Sequence, residues 1–248
     1  MSTPRKTKAA EIAAEFENLG PWVFRFRIDN ADYGGAVSAI GDVRVEWFRR
    51  FAPEARRILE LGSLEGAHTF MLAEQATRVV AIEAREANIR RAELVRRLLG
   101  VRNAEFVPGN LETMELGPLG QFDAVFCSGL LYHLPEPWKL IERLAHVAPK
   151  LLIWTHYADD VEAGVVQDGR RGRVHIEGGL EEPLSGLSPT AFWLTLGSLL
   201  KVLTAAGYKS VHVLHNDIAH PNGPAVTLGA ATHEMTPPQN RRWSFGGR

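Results

Sequence analysis

The chain has 248 residues, 45% of them hydrophobic and 23% charged, a mixture that folded proteins have and disordered ones lack. Its 28 Lys+Arg nearly cancel 29 Asp+Glu, so the formal net charge is −1 and carries no electrostatic footprint for nucleic acid or an anionic membrane. The length suits one α/β domain with a full core. Cys127 is the only cysteine, which excludes an intramolecular disulfide and suits a reducing compartment. No charged segment followed by an apolar run opens the chain. The most apolar stretch, residues 191–203, is interrupted by Lys201 and too short to span a bilayer. A soluble, cytoplasmic protein is expected.

Residues 1–8 are polar, with Arg5, Lys6 and Lys8, and are expected to be loose. Residues 9–19 predict a short helix stopped by Gly20-Pro21. Trp22, Phe24, Phe26 and Ile28 then alternate with Val23, Arg25 and Arg27, a period of two that predicts an extended segment with one apolar face. Tyr33-Gly34-Gly35 breaks that pattern, and residues 43–51 predict a helix ended by Pro53. From residue 57 onward strands and helices alternate, as in a mostly parallel sheet. Strands are expected at 57–61, 78–83, 104–107, 122–127 and 150–155, and helices at 67–75, 86–99 and 136–147. The arginines of the 86–99 helix read as a solvated face opposite Leu94, Leu98 and Leu99.

A further helix is predicted over 189–206, with Ser188 as N-cap, Pro189 in the first turn and Gly207 at C′. Strands at 209–215 and 225–231, joined through Asn222-Gly223-Pro224, close the pattern before a polar tail. Residues 157–187, rich in Gly, Asp and Glu, interrupt it with about thirty residues where a short connection is the norm. An insertion of that length points to function.

The strongest motif is Glu60-Leu61-Gly62-Ser63-Leu64-Glu65-Gly66, set between a predicted strand and a predicted helix. Glycines there let the backbone turn tightly and approach a ligand at the carboxyl edge of the sheet. A dinucleotide fingerprint needs a second glycine where Leu64 stands, which argues against a pyrophosphate. Glu83 ends the next predicted strand, 21 residues after Gly62, where a carboxylate can accept both hydroxyls of an adenosine ribose.

With Val80-Ala81-Ile82-Glu83, Gly109-Asn110-Leu111-Glu112 and Phe122-Asp123-Ala124-Val125-Phe126-Cys127-Ser128-Gly129-Leu130-Leu131-Tyr132-His133-Leu134, this motif resembles the class I S-adenosylmethionine-dependent methyltransferases. The resemblance implies a Rossmann-like α/β fold, a seven-stranded mostly parallel sheet with an antiparallel last strand, a helical N-terminal flank and a long insertion after strand five. One methyltransferase domain over 1–248 then divides into an N-terminal cap (1–56), a cofactor-binding core (57–157), an acceptor-site insertion (158–188), a C-terminal helix and strands (189–232) and a tail (233–248). By the same resemblance Glu60, Gly62, Ser63 and Gly66 would wrap the methionine of S-adenosylmethionine, and Glu83 would hold its ribose. Asn110 and Leu111 would meet the adenine, and Ser128 would lie beside the sulfonium. Two departures stand out: Leu64-Glu65 replaces a small residue in the loop, and Asn110 stands where the family commonly has Asp.

Methyl transfer from a sulfonium depends on orientation, and needs a general base only where the acceptor loses a proton. His133, from the loop after the 122–127 strand, is the first candidate base, His156 the second, and Tyr157 would orient the acceptor. Trp22, Phe24, Tyr33 and Trp193, with the insertion, would supply an apolar lid and acceptor pocket. His133, His156, His175, Asp159 and Asp160 show no ligand spacing, so no metal is expected. The expected activity is O- or N-methylation of a small organic acceptor, of the kind met in natural-product metabolism. A tRNA or RNA methyltransferase and a non-catalytic S-adenosylmethionine-binding domain are the alternatives, with nucleic acid and membrane partners not expected and the oligomeric state open.

Overall fold

The structure, a computed structural model, describes residues 4–236. The N-terminal flank consists of α1 (Pro4–Asn18) and a small sheet of β1 (Phe24–Ile28), β2 (Ala31–Gly34) and β3 (Val37–Ser38), with β1 in the middle. As the period of two predicts, β1 buries Phe26 and Ile28 and exposes Arg25 and Arg27. Asp29 and Asn30 join β1 to β2 at φ 49° and 67°, the left-handed pair that a two-residue hairpin requires. Residues 4–8 are helical, not loose: Ile12 and Phe16 give α1 a buried face, and Lys8 pairs with Asp29 at 2.8 Å. Residues 1–3, and the tail from 237, lie outside the described residues. α2 (Val43–Phe51) follows, its N-terminus capped by Asp42, whose Oδ1 accepts from the Arg44 N–H.

The central sheet is built from β4 (Arg57–Leu61), β5 (Arg78–Glu83), β6 (Ala104–Pro108), β7 (Ala124–Ser128) and β8 (Lys150–His156). α3 (Ala67–Ala73), α4 (Glu86–Leu99) and α5 (Pro137–Leu144) connect them, each within the span that the sequence predicts. Both faces of β4, β7 and β8 are buried, hence their continuous apolar runs. Ile58, Phe126 and Leu152 pack on α2 and α3, whereas Leu59, Val125 and Ile153 pack on α5 and the helix that follows the insertion.

The insertion is folded. β9 (Val165–Gln167), β10 (Arg170–Ile176) and β11 (Thr190–Leu194) form a three-stranded antiparallel sheet in the order β11-β10-β9. The helix predicted over 189–206 is therefore shorter: α6 (Leu196–Ala205) starts at Thr195, whose Oγ1 accepts from the Ser198 N–H. Thr190-Ala191-Phe192-Trp193-Leu194 extends instead, because its β-branched and aromatic residues pair with β10. Ser188 caps nothing, and its hydroxyl donates to Glu112 at 2.9 and 3.0 Å. Gly207, at φ 101°, ends α6 as expected.

β12 (Ser210–Asp217) and β13 (Ala225–Ala231) complete a seven-stranded sheet of order β12-β13-β8-β7-β4-β5-β6. Only β13 runs antiparallel to its neighbours. From β4 the chain steps outward to β5 and β6, then crosses back to β7 and β8. That reversal opens a crevice at the carboxyl ends of β4 and β7. No helix among the described residues is long and apolar enough to cross a membrane.

Candidate functional site

The loop after β4 takes its shape from three left-handed residues, Gly62, Leu64 and Gly66, at φ 72°, 50° and 81°. For leucine this conformation costs about 1–2 kcal/mol. A hydrogen bond holds it there: the Leu64 N–H donates to Glu83 Oε2 at 2.9 Å. Glu83 Oε1 accepts from the Arg85 N–H at 2.9 Å and from Asn88 Nδ2 at 3.2 Å. Glu83 thus locks the loop that it faces.

Glu65, which shares with Leu64 the departure in this loop, is buried and reaches the N-terminal flank. Its two oxygens accept from the N–H groups of Val23 and Phe24 at 2.9 and 2.7 Å. Burial raises its pKa, and these two bonds oppose the rise. Through Glu65 the flank is fastened to the glycine loop, and Phe24 becomes part of the crevice wall.

The crevice encloses a cavity of about 270 Å³. Gly62, Ser63, Glu83, Asn110, Leu111 and Ser128 all line it, and so does His133. The hydroxyls of Ser63 and Ser128 are buried without a hydrogen-bond partner among the described residues. Buried polar groups are normally paired, so two orphaned hydroxyls on one cavity wall fit a polar ligand. Asn110 Oδ1 accepts from the Glu112 N–H at 2.9 Å, which shapes the loop after β6 and leaves its amide group available for donation.

His133 lies on the short turn after β7, its side chain 18% exposed. Its Nδ1 is 3.0 and 3.1 Å from the two oxygens of Glu177, which follows β10. A carboxylate only accepts, so Nδ1 carries the proton and Nε2 keeps the lone pair. Burial lowers the His133 pKa, and the carboxylate partly restores it. Burial acts to raise Glu177, but hydrogen bonds from Ser185 Oγ (2.5 Å), the Gly186 N–H (2.6 Å) and His133 outweigh it and leave the carboxyl below its usual value. Gly186 packs so closely that a Cβ would stand 2.5 Å from the His133 carbonyl oxygen. The sequence offers no signal for Glu177, which joins His133 across 44 residues.

A second dyad sits at the flank end. His68 Nε2 donates to Asp42 Oδ2 at 2.9 Å, and Arg44 pairs with the same carboxylate while its guanidinium lies over the Trp154 ring at 5.0 Å. Although burial opposes ionisation, the hydrogen bonds from His68 and Arg44 hold Asp42 far below the carboxylate range. Arg44 and His68 line the cavity and were not anticipated from the sequence.

Other expected residues lie outside the cavity. Glu60 is buried beneath the loop, accepting from Thr69 Oγ1 at 2.5 Å, and burial pushes its pKa to about 8. Gly66 starts α3, and a Cβ there would meet the Phe106 ring at 2.8 Å, so packing sets its identity. His156 gives its Nδ1–H to Gly223 O at 3.0 Å and stacks on Trp193, behind Tyr132. Burial lowers its pKa, against the two carbonyls that it faces. Tyr157 is buried, its hydroxyl donating to Asn216. Trp22 and Tyr33 pack against Phe16 inside the flank, and Trp193 lies between His156 and His175. Of the aromatic residues expected around the acceptor, only Phe24 lines the cavity, and from the insertion residues 183–187 join it.

A family model described as a methyltransferase domain matches residues 58–150. Among solved structures, the N-terminal domain of EvdMO1 with SAH (S-adenosylhomocysteine) bound is 34% identical, covers 91% of this chain and 97% of that one, and superposes with a TM-score of 0.82. The same domain in the presence of SAH and D-fucose gives 35% identity and a TM-score of 0.83 over the same shares. Against the whole of EvdMO1 the identity is 33% and the TM-score 0.70, and this chain spans 47% of its length. A curated relative, the tRNA U34 carboxymethyltransferase of Haemophilus ducreyi, is 41% identical over 91 residues, which are 36% of this chain and 28% of that protein.

Proposed function

Because this chain belongs to the class I S-adenosylmethionine-dependent methyltransferases, we propose that it O-methylates a hydroxyl of a small, sugar-like acceptor with His133 as the base. The observation that carries the proposal is His133 on the cavity wall with Glu177 paired to its Nδ1. Amine acceptors need no such base, since a neutral amine already has its lone pair free. When bound, S-adenosylmethionine supplies a methyl group activated by its sulfonium. Glu83 would hold the ribose, Asn110 and Leu111 would face the adenine, and Gly62, Ser63 and Ser128 would receive the methionine end, where the two orphaned hydroxyls find partners. Arg44, a cation on the same wall, suits the methionine carboxylate.

His133 then accepts the acceptor's proton on Nε2, and Glu177 stabilises the imidazolium that results. The lid at 183–187 keeps water from the reacting groups. The likeness to a domain studied with D-fucose supports a sugar-like acceptor. The curated tRNA relatives favour a second reading, a tRNA acceptor, but the match to them spans only 36% and 47% of this chain. A methylation assay with a panel of deoxysugars and bulk tRNA separates the two. Transfer to a sugar hydroxyl is expected, and transfer only to tRNA overturns the proposal.

A further inference from the structure

We infer that Arg85 is a positioning residue that latches the lid to the cofactor site and thereby holds the Glu177–His133 pair in its working geometry. The inference rests on the assignment of His133 as base. Arg85 follows Glu83 by two residues, where β5 gives way to α4, and its own N–H donates to the Glu83 carboxylate. Its Nη2 lies 3.0, 3.0 and 2.9 Å from the carbonyl oxygens of Gly179, Glu182 and Ser185. One guanidinium group therefore gathers three carbonyls of the loop that closes the cavity. A planar, permanently charged donor is suited to that task, and few other side chains offer several donors at one point.

The loop so gathered is the one that holds Glu177. Ser185 Oγ and the Gly186 N–H both donate to Glu177 Oε2, and Glu177 in turn orients His133. Arg85 is close enough that its charge also lowers the His133 pKa. Its remaining edge is unused: Nε is buried, without a partner among the described residues, and the side chain lines the cavity. An unpaired, buried N–H on a cavity wall beside Glu83 is placed to donate to the nucleoside end of a bound cofactor.

A cofactor that engages Nε while Nη2 holds the lid favours the closed lid, and by linkage the closed lid favours the cofactor. Cofactor occupancy and base alignment become one event. The lid then closes over the donor and readies the base together.

Hydrogen exchange of residues 178–187, measured with and without S-adenosylhomocysteine, reads the latch without any acceptor. In the wild type the ligand is expected to slow exchange there by at least about fivefold. Arg85→Gln should abolish that protection, and Arg85→Lys should restore part of it. Ser185→Ala, which leaves Arg85 in place, should keep the protection. In turnover, Arg85→Gln should lower kcat, and Arg85→Lys should recover part of it. The inference is overturned if the wild-type lid gains no protection from the ligand, if Arg85→Gln is protected as well as the wild type, or if Arg85→Gln turns over at the wild-type rate. A sugar panel that shows no methylation would defeat the proposed acceptor and leave the exchange result standing.

Discussion

Replacing Glu177 by glutamine tests the base directly. In the wild type the carboxylate, its side chain 2% exposed, lies 3.0 Å from His133 Nδ1. As His133 takes a proton, that contact becomes a charge-assisted hydrogen bond between ions, and such bonds contribute about 1.5–3 kcal/mol. Glutamine can still accept from Nδ1, but it carries no charge to stabilise the imidazolium. The loss corresponds to a fall in kcat of roughly 10- to 150-fold. Two donors, Ser185 Oγ and the Gly186 N–H, face the same carboxylate at 2.5 and 2.6 Å, so an amide NH₂ turned toward them loosens the lid and adds to the loss. The pH profile carries a second signature. Burial already sets the His133 pKa below 6.5, and Glu177 is what raises it. Without the anion the inflection moves further toward acid, while the plateau rate falls because the base is weaker. Single-turnover rates with the deoxysugar acceptor panel, from about pH 5 to 9, together with calorimetry for S-adenosylhomocysteine, separate chemistry from binding. Turnover within about threefold of the wild type, with an unmoved inflection, would refute the role of the pair.

Glu83→Ala should weaken S-adenosylhomocysteine binding by roughly 30- to 140-fold, the loss of about 2–3 kcal/mol, whereas Arg90→Ala, on the exposed side of α4, should leave it unchanged. Equal affinities by calorimetry would mean that Glu83 only fixes Leu64. Glu60 predicts a pH-dependent stability: its folded pKa of about 8 lies above the ordinary 4.5, so the folded state binds the proton more tightly than the unfolded one. Stability is then greatest below the ordinary value and falls as pH rises toward 8, by up to about 1.4 kcal/mol per pH unit. Urea melts should show Glu60→Gln losing less stability than the wild type between pH 5 and 8, and parallel slopes would contradict it.

The parallel core was legible because its strands are buried on both faces, and continuous apolar runs closed by glycine and proline announce that state. β13 was placed at its exact span for the same reason. What failed was the boundary between insertion and helix. The run 189–206 has helical length and opens on a proline, yet the branched and aromatic residues of Thr190–Leu194 serve a strand partner, β10, that local patterning cannot reveal. The flank hairpin was hidden for a simpler reason. Asp29-Asn30 supplies the left-handed pair that glycine usually supplies, so the break was read four residues later, at Tyr33-Gly34-Gly35.

At the site, sequence showed the groups that belong to the sheet edge and missed those that reach it from elsewhere. Gly62, Ser63, Glu83, Asn110, Leu111, Ser128 and His133 stand in fixed relation to strand ends, and all of them line the cavity. Glu177 reaches His133 from the insertion and Arg44 reaches the cavity from the flank, and both placements depend on tertiary contacts. His68, on α3, is drawn in by Asp42 of the same flank. The Leu64-Glu65 departure in the glycine loop carries part of that information. A glycine at position 64 would leave the loop free of strain; leucine is tolerated because Glu83 accepts its N–H. A small residue at position 65 would leave the N–H groups of Val23 and Phe24 without their carboxylate. With Glu65 present, β1 is held against the glycine loop, Phe24 enters the wall of the cavity, and the flank that carries Asp42 and Arg44 becomes part of the site. Glu65, which breaks the family pattern, is therefore the residue that explains why the N-terminal flank contributes to the cavity wall.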